Sequence, residues 1–423
     1  MRWLRTLAFG AFLFAWSTPA HASLQVMPMS FQAVNTGATA WAMIEGGNAS
    51  WSTTEINREA LASPAGQLLR MRIILDADPD NGAGTDTVTF TIRVDGANSA
   101  LSCVISETAT SCDISAKVAL TAGQRVSLQA VPANTPEAVT GQAFFFFTPT
   151  TAGQTWLVFS TRGSNVSNTA ENWLSAHGHI LNATEATARN VMPDAYTCSN
   201  LYILLSGSPG TGNTYNFDVV INGGADSAVD CQVAEPATTC NSSADTVSGN
   251  AGDTISIEVQ PASTPTARHV RGGMTCTLTS PEDFLLPFVH DSAESASVTE
   301  YWPINGSQIT QAETLNDSLA FPMVIKALYV NLNTAPDNGA GTQSRTYTLR
   351  VNAAATGLTT TISESATTGS VTTYTVPIQF DDLIVTESTA SNTPATSPGA
   401  ISYLVTVGGS NLQGATLNAG VIQ

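Results

Sequence analysis

Along most of the chain, apolar and polar residues alternate with a period of two. Val88, Phe90, Ile92 and Val94 fall on one side of a run whose other side is Thr87, Thr89, Thr91 and Arg93. Val126, Leu128 and Ala130 alternate with Ser127 and Gln129, and Ile255, Ile257 and Val259 with Ser256, Glu258 and Gln260. Such runs predict strands with one buried and one wet face, and the Val and Thr in them suit a pleated surface. Asp95-Gly96, Asn222-Gly223-Gly224 and Ala122-Gly123-Gln124 supply turns between them. Helical periodicity is nearly absent; Thr54 to Ala62 is the best candidate, and it is short. Phe144 to Phe147 break the alternation with four successive rings. Two of them fit a core, so the other two require cover from a neighbouring domain or another subunit.

The pattern recurs three times. Ile73-Ile74-Leu75-Asp76-Ala77-Asp78-Pro79-Asp80-Asn81-Gly82 returns as Val330-Asn331-Leu332-Asn333-Thr334-Ala335-Pro336-Asp337-Asn338-Gly339, with a shorter version at Leu204 to Gly212. The strands Phe90 to Asp95, Phe217 to Asn222 and Tyr347 to Asn352 follow, and each copy closes on a Thr-Pro, at Pro136, Pro265 and Pro394. We place the copies at 23–150, 151–281 and 282–423, after a segment 1–22, with a tail 408–423 beyond the last strand. Seven or eight antiparallel strands per copy predict an all-β protein of three tandem antiparallel β-sandwich, jelly-roll-like domains. The links around Pro149 and Pro281 are short, which predicts a fixed relation between neighbouring domains.

Residues 1–22 read as a secretory signal peptide, with Arg2 and Arg5 before an apolar run from Leu7 to Trp16 and a small-x-small site at Ala20-His21-Ala22. No later segment is apolar for long enough to span a bilayer. The chain carries 33 acidic against 15 basic residues; loss of Arg2 and Arg5 takes the formal charge from −18 to −20. Such acidity argues against nucleic acid as a partner. The cysteines fit an oxidising compartment. Cys103 and Cys112 have the same spacing as Cys231 and Cys240, while Thr360 and Gly369 stand together at the matching places of the third copy. Paired presence and absence predicts a disulfide across each hairpin, which leaves Cys198 to Cys276 by elimination. No CxxC spacing supports zinc.

The run Ile325–Asn352, with Thr360–Ser370 and Ser391–Thr396, resembles a β-sandwich module of bacteriophage tail or virion proteins and of bacterial surface proteins. The resemblance covers nearly all of the third copy, most of the first and the second more loosely. It implies a structural or binding role and carries no catalytic residues. The secretory signal favours a secreted protein, extracellular or on the cell surface of a bacterium, over a virion component.

Few residues point to chemistry. Asp76, Asp78 and Asp80 make an acidic loop of oxygen ligands suited to calcium, but the spacing misses an EF-hand loop, so a solvated turn is the plainer reading. His177-Gly178-His179 has no recognised metal or triad spacing, no phosphate loop is present, and no enzyme is expected. The expected function is an extracellular structural subunit that self-assembles head-to-tail with copies of itself into a filament, fibre or surface layer. The candidate assembly segments are Leu24, Val26, Met29 and Phe31 at the start and Leu412, Leu417, Val421 and Ile422 at the end. The alternative is an adhesin or phage-like receptor-binding protein engaging cell-surface glycans through Trp41, Trp51, Trp173 and Trp302.

Overall fold

The computed structural model describes residues 24–406 except 45, 83–84, 162, 178–180, 291–292, 305–309, 312, 314–316, 319–321, 340 and 380–381. It is 58% strand and 2% helix, so the chain is all-β as the alternation predicts. No helix among the described residues is long and apolar enough to cross a membrane.

The first copy contains β1 (Gln25–Phe31), β2 (Ala40–Ala42), β3 (Gly46–Ala49), β4 (Ala60–Leu61), β5 (Gly66–Leu75), β6 (Thr87–Val94), β7 (Ala97–Ser106), β8 (Ser111–Leu120), β9 (Arg125–Ala133) and β10 (Gly141–Pro149). One sheet runs β3-β1-β10-β5-β8 and the other β2-β9-β6-β7, with β4 added to β9. Leaving the short β3 and β4 aside, the sheets take the main strands in the orders first-eighth-third-sixth and second-seventh-fourth-fifth. The second copy, from Gln154 to Leu278, and the third, from Asp283 to Thr406, repeat both orders. That connectivity is the jelly roll. The helix anticipated at Thr54 to Ala62 shrinks to one 3-10 turn, Glu55–Asn57, because Ala60 and Leu61 pair with Val126 and Arg125 instead. Ladder pairing there overrides a weak local propensity.

The three sandwiches close into a ring through their first-eighth-third-sixth sheets. Phe145 and Phe147 enter the first copy's own core, whereas Phe144 and Phe146, with Val26, pack into the core cluster of the third copy. Trp156 and Val158 of the second copy join the first copy's cluster, and Leu285 of the third joins the second copy's. Each copy therefore covers one neighbour and is covered by the other, in cyclic order. Polar groups seal the seams. The Gln25 side chain donates to the Trp156 carbonyl at 2.9 Å and accepts its N–H at 2.8 Å. The Trp156 indole donates to the Leu61 carbonyl at 2.8 Å. A Cβ on Gly273 would meet that carbonyl at 2.1 Å, so only glycine lets the two backbones approach.

All three disulfides form as expected. Cys103–Cys112 and Cys231–Cys240 tie the fifth strand of one sheet to the sixth of the other, with Cα atoms 6.0 and 5.8 Å apart. In the third copy a Cβ on Gly369 would lie 2.8 Å from Thr360 Oγ1, so close approach stands where the other copies carry a bond. Cys198 and Cys276 are direct ladder partners, with Cα atoms 4.0 Å apart.

Trp156 is the largest side chain buried at a seam, at 0% exposure. Trp156→Ala is expected to lower unfolding stability by about 3–5 kcal/mol, the usual cost of an aromatic cavity. Denaturant titration followed by circular dichroism checks this.

Candidate functional site

The outward sheets carry the most informative chemistry, because the same row of positions can be read in all three copies. In the first copy the ladder runs Trp41, Gln129, Thr91, Ser102 across four strands. In the second it runs Trp173, Glu258, Asp218, Asp230. In the third it runs Tyr301, Glu387, Thr348, Thr359. An aromatic thus begins every row, and carboxylates accumulate only in the second.

The first and third copies hold an arginine beside the row. Arg93 pairs with Glu55 at 2.7 Å, and Arg350 bridges Glu313 at 2.6 Å and Glu387 at 2.9 Å. The second copy has Val220 at the corresponding place, next to Asp218 on its strand. Arg189 remains nearby, but Glu185 occupies it at 2.6 Å. Asp218, Asp226 and Glu258 therefore face one another, each with a carboxylate oxygen within 4.8 Å of the others. Asp218 is 9% exposed and Glu258 5%. Burial, then Asp226 and Asp230, pushes Asp218 up to about 6. Burial, with the adjacent Asp226 and Glu171, pushes Glu258 up to about 7 against a lowering hydrogen bond from Gln260. Near neutral pH Asp218 and Glu258 retain protons that exposed carboxyls would have lost; the trio's oxygens are also spaced to hold one divalent cation.

The structure disperses the other sequence-predicted residues. Asp78 and Asp80 accept backbone N–H groups of their own loop, from Asp80 at 3.3 Å and Gly82 at 2.8 Å. Asp76 accepts the Thr140 hydroxyl instead, so the three carboxylates do not converge on a cation. Asp337 accepts the Gly339 N–H at 2.7 Å in the third copy, the same turn device. His177 is buried, its backbone N–H donating at 2.7 Å to the Val158 carbonyl on the second copy's first strand, and His179 lies outside the described residues. Leu24, Val26, Met29 and Phe31 are built into or beside β1, with Met29 and Phe31 in the first copy's core. Leu412, Leu417, Val421 and Ile422 lie outside the described residues.

The four tryptophans have unlike fates. Trp41 and Trp173 are half-buried on outward sheets. Trp51 stacks edge-on against Phe31 at 5.4 Å and donates to the Gln32 carbonyl at 2.8 Å. Trp302 is 3% exposed and donates to Glu294 at 2.9 Å, so Tyr301 takes the row position that Trp41 and Trp173 hold in the other copies.

The acidic trio escaped the sequence reading, although its signal was present. After the strand's aromatic, Phe90-Thr91 and Tyr347-Thr348 hold threonine where Phe217-Asp218 holds aspartate. Carboxyls with raised pKa values bind protons in the folded state, so their contribution to stability is full at acid pH and is lost as pH rises from about 4 to about 7. Asp218→Thr with Glu258→Gln, the first copy's residues, is expected to flatten that decline and add about 1–3 kcal/mol at pH 8. Thermal unfolding of both proteins across pH 4–8 checks it. No protein-family profile and no curated protein matches this sequence; the antiparallel sheets are compatible with β-sandwich modules in general.

Proposed function

We propose that this chain is a secreted structural subunit that assembles with copies of itself into an extracellular filament, fibre or surface layer. One observation carries the reading: three jelly rolls shield one another's apolar sheet faces in a closed ring, making a single block with polar, Ser/Thr-rich sheets outward. Such a block suits repetition in an assembly. β1 pairs with β10 along seven residues and is buried, so donating it to another subunit would dismantle the first sandwich. The contact between subunits therefore falls to the segment 408–423. Its receptor is an open sheet edge, and Thr239–Gly249, eleven residues pairing on one side with Tyr196–Leu205, is the longest such strand. A donated strand there gains backbone hydrogen bonds along its length. Electron microscopy of the mature protein is expected to show ordered filaments or sheets, and deletion of 408–423 to leave folded single blocks. Polymers of unchanged length after the deletion would eliminate the tail.

A second reading, a glycan-binding surface protein, is favoured by the aromatic that begins each outward row, at Trp41, Trp173 and Tyr301. Aromatic rings beside carboxylates suit the apolar face and hydroxyls of a sugar. Under it, Trp173→Ala would abolish binding on a glycan array while leaving the unfolding midpoint within a few degrees of the native one.

A further inference from the structure

The second copy's outward sheet buries a carboxyl without a donor to meet it. Asp218 is 9% exposed, and its ladder partners are Glu258 on one side and Asp230 on the other. No donor among the described residues reaches its carboxyl oxygens. Buried acceptors are rarely left in this condition, because the water they give up has to be replaced by another partner.

The other copies show what this place ordinarily holds. In the first copy the Thr91 and Ser102 hydroxyls meet at 2.7 Å across the same pair of strands, and in the third Thr359 donates to Thr348 at 3.1 Å. Each closes a hydroxyl bond where the second copy sets Asp218 against Asp230, two groups that only accept when ionised. Two residues further along the first copy's strand, Arg93 donates to its ladder partner Asn98. In the second copy those places hold Val220 and Asp226. Donors have thus given way to carboxyls and an aliphatic side chain at neighbouring places of one sheet.

The charges around the trio do not compensate. Arg189 is held by Glu185 through two hydrogen bonds, at 2.6 and 3.0 Å, and the second copy contains no lysine. Asp230 adds negative charge beside Asp218, and Glu171 beside Glu258. Gln260 serves Glu258 and leaves Asp218 unmet. Three carboxyls remain, each offering an oxygen within 4.8 Å of the others.

We propose that Asp218, Asp226 and Glu258 hold a calcium ion, which stands where the other copies keep their cross-strand donors. Carboxylate oxygens select a hard cation. Ligands fixed on three strands favour calcium over magnesium, since calcium accepts irregular oxygen shells whereas magnesium demands an octahedron and gives up its water reluctantly. Asp226 is exposed, which leaves the solvent side open to water as a further ligand. The ion ties the edge strand Asp226–Ala234 through Thr214–Ile221 to Thr254–Ala262 and removes repulsion among all three. The first copy's acidic loop offers no such place, since Asp78 and Asp80 already accept from their own backbone.

Calorimetry and thermal unfolding of the whole mature protein, stripped with chelator and kept at constant ionic strength, test the site with calcium chloride and magnesium chloride. A pH of about 8 lies above the values near 6 and 7 to which burial lifts Asp218 and Glu258, so both are ionised. Calcium is expected to bind with a Kd of about 0.1–1 mM and to raise the unfolding midpoint, and magnesium to bind about tenfold or more weakly. Asp226→Asn, at an exposed position, is expected to weaken calcium about tenfold or more, and Asp218→Asn to do the same. Asp80→Asn in the first copy's loop is expected to leave calcium binding unchanged. Absence of a calcium-dependent shift, or full calcium binding by Asp226→Asn, would overturn the inference. Magnesium binding as tightly as calcium would overturn the choice of ion.

Discussion

The structure depends on sheets that are apolar on both faces. A sandwich buries one face of each sheet, and alternation along its strands normally leaves the other face polar. Here the first-eighth-third-sixth sheets break that rule: Phe144 and Phe146 alternate with Phe145 and Phe147, and Trp156 and Val158 with Leu157 and Phe159. A strand apolar on both sides has no wet face to offer, so each sandwich must be covered by another. Ring closure among three covalently linked copies meets that demand for all three at once. The polar contacts at the seams then follow, since Gln25 and the Trp156 indole satisfy groups that water can no longer reach.

Repetition under this constraint leaves each copy free to change where it does not touch the ring. The outward rows show how far that has gone. The first copy has neutral Gln129 and Thr91 in its row, the third sets Arg350 against Glu387, and the second carries carboxyls with no arginine at that place. The cores diverged as well. In the third copy Glu294, wholly buried, accepts hydrogen bonds from Trp302 at 2.9 Å and Tyr347 at 2.6 Å and lies 3.3 Å from the Arg345 guanidinium. Burial raises its carboxyl against the pull of Arg345. In the second copy Tyr215 stands where the third has Arg345, and its hydroxyl donates to the Ser167 and Thr266 carbonyls, both at 3.3 Å. A buried ion pair of this kind adds little net stability over apolar packing, yet losing either partner would strand the other.

Fold and disulfides were legible in the sequence because both depend on local periodicity and on spacing, which repetition displays three times. The run Phe144–Phe147 even announced a neighbour, since four rings cannot share one face. What stayed hidden was the identity of that neighbour: nothing local distinguishes a linear row of sandwiches from a ring. The tryptophans lie on different faces for a related reason. Trp302 lies one residue beyond the outward row position, on the strand Glu300–Pro303, so its ring turns inward and Tyr301 is left outside. A shift of one residue exchanges the faces of a strand. The acidic trio joins residues from three strands, and its significance lies in the arginine missing beside it.

Ring closure also limits how copies of this chain can meet. A head-to-tail contact that closes after three members leaves no fourth face of the same kind. Extending the arrangement with further subunits would require opening the seam between the first and third copies, exposing Val26, Phe144 and Phe146. Any assembly must therefore use surfaces outside the ring. Those surfaces are outward sheets rich in Thr and Ser, with carboxylates concentrated on the second copy's, and sixth-strand edges such as Thr239–Gly249, where most side chains are exposed. Few lysines guard them: only Lys117 and Lys326 occur in the whole chain. An edge guarded by one carboxylate, Asp245, and no lysine is a hazard in a monomer and an asset in a polymer, because little repels a supplied strand.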